Sequence, residues 1–353
     1  MLQSVWNVEI CLVKSLAFTA GLFYNYIYHN ISIFNYFLYL SMAEFLPVFT
    51  KSRYAVNKER RGMTYYQFIH EVELKVKEGV KEDVTVYIHS AVKNNGTPRH
   101  GLTIAETGLN IFPTIYLEEY YQQFQTGSSI ESIARDILRL YGELRFQRSF
   151  ESESIKNYDR VNRKIVYHLV NREANKDLLK EVPFEEYLDM AIVFYVLLEV
   201  NSYGMASMMI KDEHLAMWNV TEKEIYRKAC KNTRRLLPYE FKTMKAVLEE
   251  VLDMGEEDKE DVVFVLSNRL RSYGAAALLY EGQLEGIGEY LRENYYVLPS
   301  SVHEVIVVPE SAAPRREELK RLVTEINTTQ VDAEEVLSNH AYYYDRKKRK
   351  LLL

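Results

Sequence analysis

Residues 262–310 constrain the fold most, because they concentrate strand-like runs, a helix and the densest polar cluster of the chain in one segment. Val262-Val263-Phe264-Val265-Leu266 is a short apolar run rich in β-branched residues, and residues 274–280 (GAAALLY) are a second one after a polar turn. Two such runs around a turn signal predict a hairpin. Residues 282–293 carry Leu284, Ile287, Tyr290 and Leu291 at spacings of three and four, the mark of an amphipathic helix. Residues 295–298 and 302–308 return to strand, ended by Pro309.

An internal echo extends this pattern. Tyr195-Val196-Leu197 and Ser202-Tyr203-Gly204-Met205-Ala206 recur, one residue farther apart, as Phe264-Val265-Leu266 and Ser272-Tyr273-Gly274-Ala275-Ala276. Both copies read as strand, Ser-Tyr-Gly turn, strand, a duplicated hairpin and helix unit in the C-terminal half. Glycine suits such a turn because a positive backbone dihedral costs other residues more.

The length of 353 residues is ample for a core and fits one large or two modest domains. A net charge of -6 gives no electrostatic case for general nucleic-acid binding, so no nucleic-acid partner is expected. The two cysteines, Cys11 and Cys230, are far apart and build neither a disulfide framework nor a cysteine-rich zinc site, which fits a reducing compartment.

Residues 1–62 differ from the rest. Residues 22–40 are rich in Phe, Tyr, Ile, Asn and Leu without Gly, Pro or a clean period. Glu9 and Lys14 interrupt any signal-peptide core, and residues 31–49 approach a membrane span despite Asn35 and Glu44. A membrane partner is expected only if this extension is native.

Met63 opens the first folded-protein signal. Thr64 and Gln67 make a capping box, Met63 can staple onto Phe68, and Tyr65, Phe68, Ile69, Val72 and Val76 form an apolar stripe closed by Gly79. Residues 84–89 alternate as a strand, Asn94-Asn95-Gly96 is a turn, and residues 101–105 pair back. Residues 113–117 read as a further strand and 118–124 as a helix. Ser128 and Glu131 box the next helix, whose face is Ile130, Ile133, Ala134, Ile137, Leu138 and Tyr141.

The charged residues 151–163 read as a linker or long loop between an N-terminal α+β subdomain (63–150) and a C-terminal one (164–345). In the latter, residues 164–170 are a strand, 184–187 a short helical connection, and 190–210 the first hairpin copy. Thr221 and Glu224 cap a helix to about Asn232, and residues 239–254 form another. Pro314 suits the first turn of a helix with the face Leu319, Leu322, Val323 and Ile326, residues 341–344 add a last strand, and 346–353 form a basic tail.

The combination of His100-Gly101-Leu102-Thr103-Ile104, Pro113-Thr114-Ile115-Tyr116-Leu117, Gly274-Ala275-Ala276, Leu298-Pro299-Ser300-Ser301-Val302-His303-Glu304-Val305 and Asn327-Thr328-Thr329-Gln330-Val331 resembles a bacterial family catalogued as domain of unknown function 5688. The resemblance covers about residues 63–345. It implies a mostly bacterial intracellular protein and carries over no catalytic residue.

Catalytic templates fail one by one. His303-Glu304 is followed by Val305, Ile306 and Val307 and is not HExxH. Gly282, Gly286 and Gly288 do not match GxGxxG and sit inside an expected helix, where close packing on a sheet explains them. No P-loop sequence exists, so no cofactor and no metal site is expected.

Ser300, Ser301, His303 and Glu304 are the cluster able to do nucleophilic or proton-transfer chemistry. On an extended chain Ser301 and His303 share a face while Glu304 points away, so an orienting carboxylate must come from elsewhere. The plainer alternative is that the serines cap a turn and His303 is structural. His100 reads as a hairpin-edge residue, and Asp212, Glu213 and His214 as a solvated turn.

The expected architecture is α+β, with mixed, mainly antiparallel sheets covered by helices. The expected function is a non-enzymatic cytosolic module binding a protein or small molecule. The alternatives are a hydrolase-like enzyme using Ser300 or Ser301 with His303, and a protein tethered to a membrane through the N-terminal apolar segment.

Lys58-Glu59-Arg60-Arg61-Gly62 can be encoded almost wholly by purines, as a translated bacterial ribosome-binding site would be, and it lies immediately before Met63. Left unpacked on a soluble body, the apolar extension would invite aggregation. Translation is therefore expected to start at Met63. Mass spectrometry of the protein from its native organism should find no peptide from residues 1–62, and finding one overturns this expectation.

Overall fold

The computed structural model describes residues 9–11, 63–108, 112–144, 155–201, 204–252, 262–299 and 301–353. Apart from a short strand, β1 (Glu9–Cys11), the expectations for residues 1–62 lie outside the described residues. The chain divides into two compact units, the first holding described residues of 63–93 and 97–144, the second holding 94–96 and 155–353.

The first unit is a small antiparallel sheet under three helices. Helix α1 (Tyr65–Glu78) starts at the capping box: Thr64 Oγ1 accepts the Gln67 amide and Gln67 Oε1 accepts the Thr64 amide, satisfying donors that have no partner inside the helix. Phe68, Ile69, Val72 and Val76 are its buried stripe. Strands β2 (Val84–Val92) and β3 (Pro98–Glu106) pair across the Asn94-Asn95-Gly96 turn, where Asn95 and Gly96 take φ of 58° and 67°. Asn and Gly tolerate that left-handed conformation best.

Strand β4 (Thr114–Tyr116) adds to β3, and helices α2 (Glu118–Thr126) and α3 (Ile130–Leu144) complete the layer. The cap of α3 is displaced by one residue from the expected Ser128. The Ser128 amide still bonds Gln123 O at the end of α2, so Ser129 Oγ takes the Ser132 amide at 3.2 Å instead. Val86, Leu102, Ile104 and Ile115 on the sheet meet Phe68, Val72, Ile133 and Ile137 from the helices in one core.

In the second unit two sheets are built. One has the order β8-β7-β5, with β6 also on β7; its strands are β5 (Ile165–Asn171), β6 (Phe184–Tyr187), β7 (Met190–Asn201) and β8 (Gly204–Met209). The other has the order β14-β13-β11-β12-β10-β9, from β9 (Tyr239–Thr243), β10 (Phe264–Asn268), β11 (Tyr295–Leu298), β12 (Val305–Pro309), β13 (Tyr342–Asp345) and β14 (Lys350–Leu352). Its helices are α4 (Tyr158–Val161), α5 (Asp212–Trp218), α6 (Glu222–Leu236), α7 (Met244–Leu252), α8 (Gln283–Leu291) and α9 (Arg316–Thr329). The α+β class with mainly antiparallel sheets is thus the observed one.

Several local expectations are corrected. Phe184–Tyr187 is strand β6, not a helical connection, because it pairs along β7 from Phe184 opposite Val193 to Tyr187 opposite Met190. The expected helix over 239–254 begins as edge strand β9 and turns helical only at Met244. Of the linker 151–163, residues 151–154 lie outside the described residues, while Ile155 is buried and Asn157 caps α4. The basic tail turns back at Arg346–Arg349 into β14, with Leu351 buried opposite Tyr344.

The largest correction concerns the echo. Residues 190–209 form the expected hairpin β7–β8, with Asn201 opposite Gly204. Gly274–Leu279 is a 3₁₀ turn and not a second strand, so the two segments part company after the shared Ser-Tyr-Gly. A short apolar run between turn signals fits a buried helical turn as well as a strand, and Ala275-Ala276-Ala277 lacks the β-branched bulk that strands prefer.

That turn is the packing centre of the second unit: Gly274 to Leu278 are all buried, and the turn lies against β5 of one sheet and β10 and β12 of the other. Small side chains are needed there. A Cβ on Gly274 would stand 2.1 Å from Ser267 Oγ, 2.5 Å from His303 O and 2.6 Å from Asn268 N. Gly274→Ala is expected to destabilise the fold by about 3 kcal/mol, the upper range for overpacking against backbone. Urea unfolding measures this, and a loss below about 0.5 kcal/mol, the level of an inert surface change, would contradict the close approach.

Candidate functional site

Residues 299–304 carry the chain from β11 to β12 past the packing centre. Ser301 forms an isolated antiparallel bridge with Val336, and the Val302 amide donates to Glu335 O at 2.8 Å. Ser300 lies outside the described residues. Ser301 is 1% exposed, and its Oγ accepts the backbone N–H of His303 at 3.0 Å. This is a serine closing its own turn, a role open to a short hydroxyl side chain two residues before a backbone amide.

His303 uses both ring nitrogens. Nδ1 accepts the Tyr273 amide at 3.1 Å, so the ring proton sits on Nε2, which faces Glu335 Oε1 at 3.3 Å. Its carbonyl takes the Ser267 hydroxyl at 2.7 Å. Tyr273 is held at φ 51°, and its ring stacks on His168 with centroids 4.1 Å apart; His168 stacks in turn on Tyr195 at 4.2 Å. The column joins β7, β5 and the buried turn to the crossing at His303.

Glu304 follows His303 immediately before β12. It is 1% exposed, and neither carboxyl oxygen has a hydrogen-bond partner among the described residues. Burial pushes its carboxyl up to about 7, with His303 opposing and Glu335 reinforcing the shift.

The geometry limits the chemistry. A base that activates a serine must offer that hydroxyl a lone pair. The Nδ1 lone pair of His303 is held by a main-chain amide, and Ser301 Oγ is joined to the backbone of His303. A carboxylate does face the ring from elsewhere in the chain, that of Glu335. Nothing in its surroundings marked it, because it meets the ring through a bridge between segments far apart in the chain.

A second constellation escaped sequence reasoning. Asp189, before β7, receives the Ser338 hydroxyl at 2.7 Å and the Tyr342 hydroxyl, and lies 3.0 Å from His340 Nδ1. Burial works against the charge, but the bonds from Tyr342, Ser338 and His340 hold the carboxyl below its ordinary value. Serine and aspartate both approach Nδ1 of His340, so this is not the geometry of a triad, in which they occupy opposite ring nitrogens. It ties the β6–β7 turn to β13.

The remaining singled-out residues have local tasks. His214 Nδ1 accepts the Lys211 amide at 2.8 Å and its ring stacks on Trp218, so it caps α5 instead of lying in a solvated turn. In the first unit the His100 amide donates to Glu118 Oε1 at 2.7 Å, its Nδ1 lies 3.4 Å from the same oxygen, and the Tyr65 hydroxyl donates to it at 2.8 Å. Arg99 reaches Glu118 and Glu119, while Tyr66, 70% exposed, stands edge-on to the His100 ring. His100 is thus the centre of a network, not a plain hairpin edge.

Among the described residues no group of three or more His, Cys, Asp or Glu could hold a metal ion, and no helix is long and apolar enough to cross a membrane. A family model described as a family of unknown function, DUF5688, matches residues 65–346. No curated protein and no solved structure matches the chain.

The buried carboxyl has a measurable consequence. Below about pH 4.5 Glu304 is protonated in folded and unfolded chains alike, and its titration adds no pH dependence to stability. Between that value and about 7 the folded chain keeps a proton that the unfolded chain releases, so stability falls as pH rises and stays low above 7. Glu304→Gln is expected to raise stability at pH 8 by on the order of 3 kcal/mol, at ~1.4 kcal/mol per unit, with the gain vanishing near pH 4. Thermal unfolding across that range tests it, and a gain independent of pH would refute the assignment.

Proposed function

Since this chain belongs to the family of unknown function DUF5688, membership brings no activity with it, and we propose from the geometry that it is a non-enzymatic cytosolic binding module. The observation that supports this reading most is the engagement of both His303 ring nitrogens, one with the Tyr273 amide and one with Glu335. The best-equipped cluster for nucleophilic chemistry is spent on holding the buried crossing together.

The surface we assign to recognition is in the first unit, around Tyr66 and His100. An exposed aromatic ring stands there beside an imidazole whose orientation Glu118 and Tyr65 maintain. Arg99 lies alongside, bound to Glu118 and Glu119. An exposed aromatic ring held beside an ordered imidazole is the kind of surface interface hot spots are made from, and a protein segment is the partner that suits it.

A hydrolase using Ser300 or Ser301 with His303 has one observation in its favour, the carboxylate of Glu335 in the orienting position. A fluorophosphonate probe separates the two readings. The full chain is expected to stay unlabelled, whereas labelling abolished by Ser300→Ala or Ser301→Ala would establish the enzyme. For the binding surface, Tyr66→Ala should leave thermal stability within about 0.5 kcal/mol, as for other exposed positions, while abolishing capture of the partner that the full chain retains. Undiminished capture by that variant would remove the surface from consideration.

A further inference from the structure

Strand β9 is the outer strand of the six-stranded sheet. β10 pairs with one of its edges, and among the described residues no strand pairs with the other. Its sequence is Tyr239-Glu240-Phe241-Lys242-Thr243. Phe241 stands opposite Leu266 and Lys242 opposite Val265, so Tyr239, Phe241 and Thr243 share one face of the sheet while Glu240 and Lys242 share the other.

The first of these faces carries an aromatic group that reaches solvent. Phe241 stacks on Phe264 at 5.1 Å, and Tyr290 of α8 sets its ring edge-on to both, at 5.9 and 5.8 Å. Tyr290 is 66% exposed and Tyr239 40%. An edge with unpaired amides and carbonyls beside exposed aromatic surface is a template for another strand.

The charges on the second face select which strand. We infer that β9 pairs, antiparallel and across a two-fold axis, with β9 of a second copy of this chain. Centring the pair on Glu240 would set carboxylate against carboxylate, and centring it on Lys242 would set ammonium against ammonium. A centre between residues would oppose the charged face of one copy to the aromatic face of the other. Centring on Phe241 places Glu240 opposite Lys242 of the second copy, twice over by symmetry, and brings the two Phe241 rings together. Such an isologous contact closes on itself and makes a dimer, not a fibre.

Within one copy Lys242 already meets Glu250 at 2.7 Å and Glu240 at 3.5 Å, and Arg271 also pairs with Glu250. When Lys242 turns to the second copy, Glu250 therefore keeps a cation. The contact is short, five residues per strand, so the dimer is a weak one that forms with rising concentration. It goes beyond the binding reading, which concerns the first unit, and fails or stands independently of it.

Light scattering and sedimentation of the full chain over a concentration series test the inference. The wild type is expected to pass from monomer to dimer. Glu240→Lys alone and Lys242→Glu alone each set like charges opposite one another at both pairs and should weaken dimerisation about 10-fold, given up to ~1 kcal/mol per cross-strand charge pair. The double exchange E240K/K242E should restore it. Mixing the two single variants should give a heterodimer tighter than either alone, because every pair is then attractive. Thermal unfolding of each variant confirms that it is folded. A wild type that stays monomeric throughout, or a dimer unaffected by the exchanges, overturns the inference.

Discussion

The second unit depends on one hydrogen bond in a dry place: the Tyr273 amide to Nδ1 of His303. The 3₁₀ turn at Gly274–Leu279 lies between two sheets, and backbone buried there has no water to satisfy it. The imidazole accepts the Tyr273 amide at the start of the turn, Val302 O accepts that of Ala275, and the Ser267 hydroxyl donates to the carbonyl of His303. Asn268 does the same for Ser272, donating Nδ2 to its carbonyl. A polar nest is thereby built into an apolar centre, and it includes His303, which looks catalytic in the sequence.

Glu304 is the exception in that nest. Its carboxyl is buried with neither oxygen bonded among the described residues, and beside it in the nest only the Ser272 hydroxyl is similarly left. Such a group keeps its proton well above the ordinary carboxylate range, up to about 7, because the charged form has lost its solvation. It immediately precedes β12, whose residues Val305 to Val308 are all buried, and it enters the interior with them.

Much of the architecture was legible in local patterns. The capping boxes at Thr64 and Thr221 fall where two helices begin, the Asn-Asn-Gly turn joins its two strands, and the faces of α1, α3 and α9 are the buried ones. Each of these signals rests on a physical cause that acts within a few residues. Misreadings arose where periodicity is silent: Gly274–Leu279, a short apolar run, and Tyr239–Thr243, whose five residues are too few to separate strand from helix start.

The functional cluster divides in the same way. Sequence by itself determined that Ser301 and His303 stand near one another. Tertiary structure alone decided what the imidazole does, by bringing Tyr273 and Glu335 to its two nitrogens from segments remote in sequence. It likewise gathered Asp189, Ser338, His340 and Tyr342 around one carboxylate. The reason is that a residue's backbone neighbours set its direction along a strand or helix, whereas the partner of a buried polar group is whichever donor or acceptor the packing of distant elements delivers.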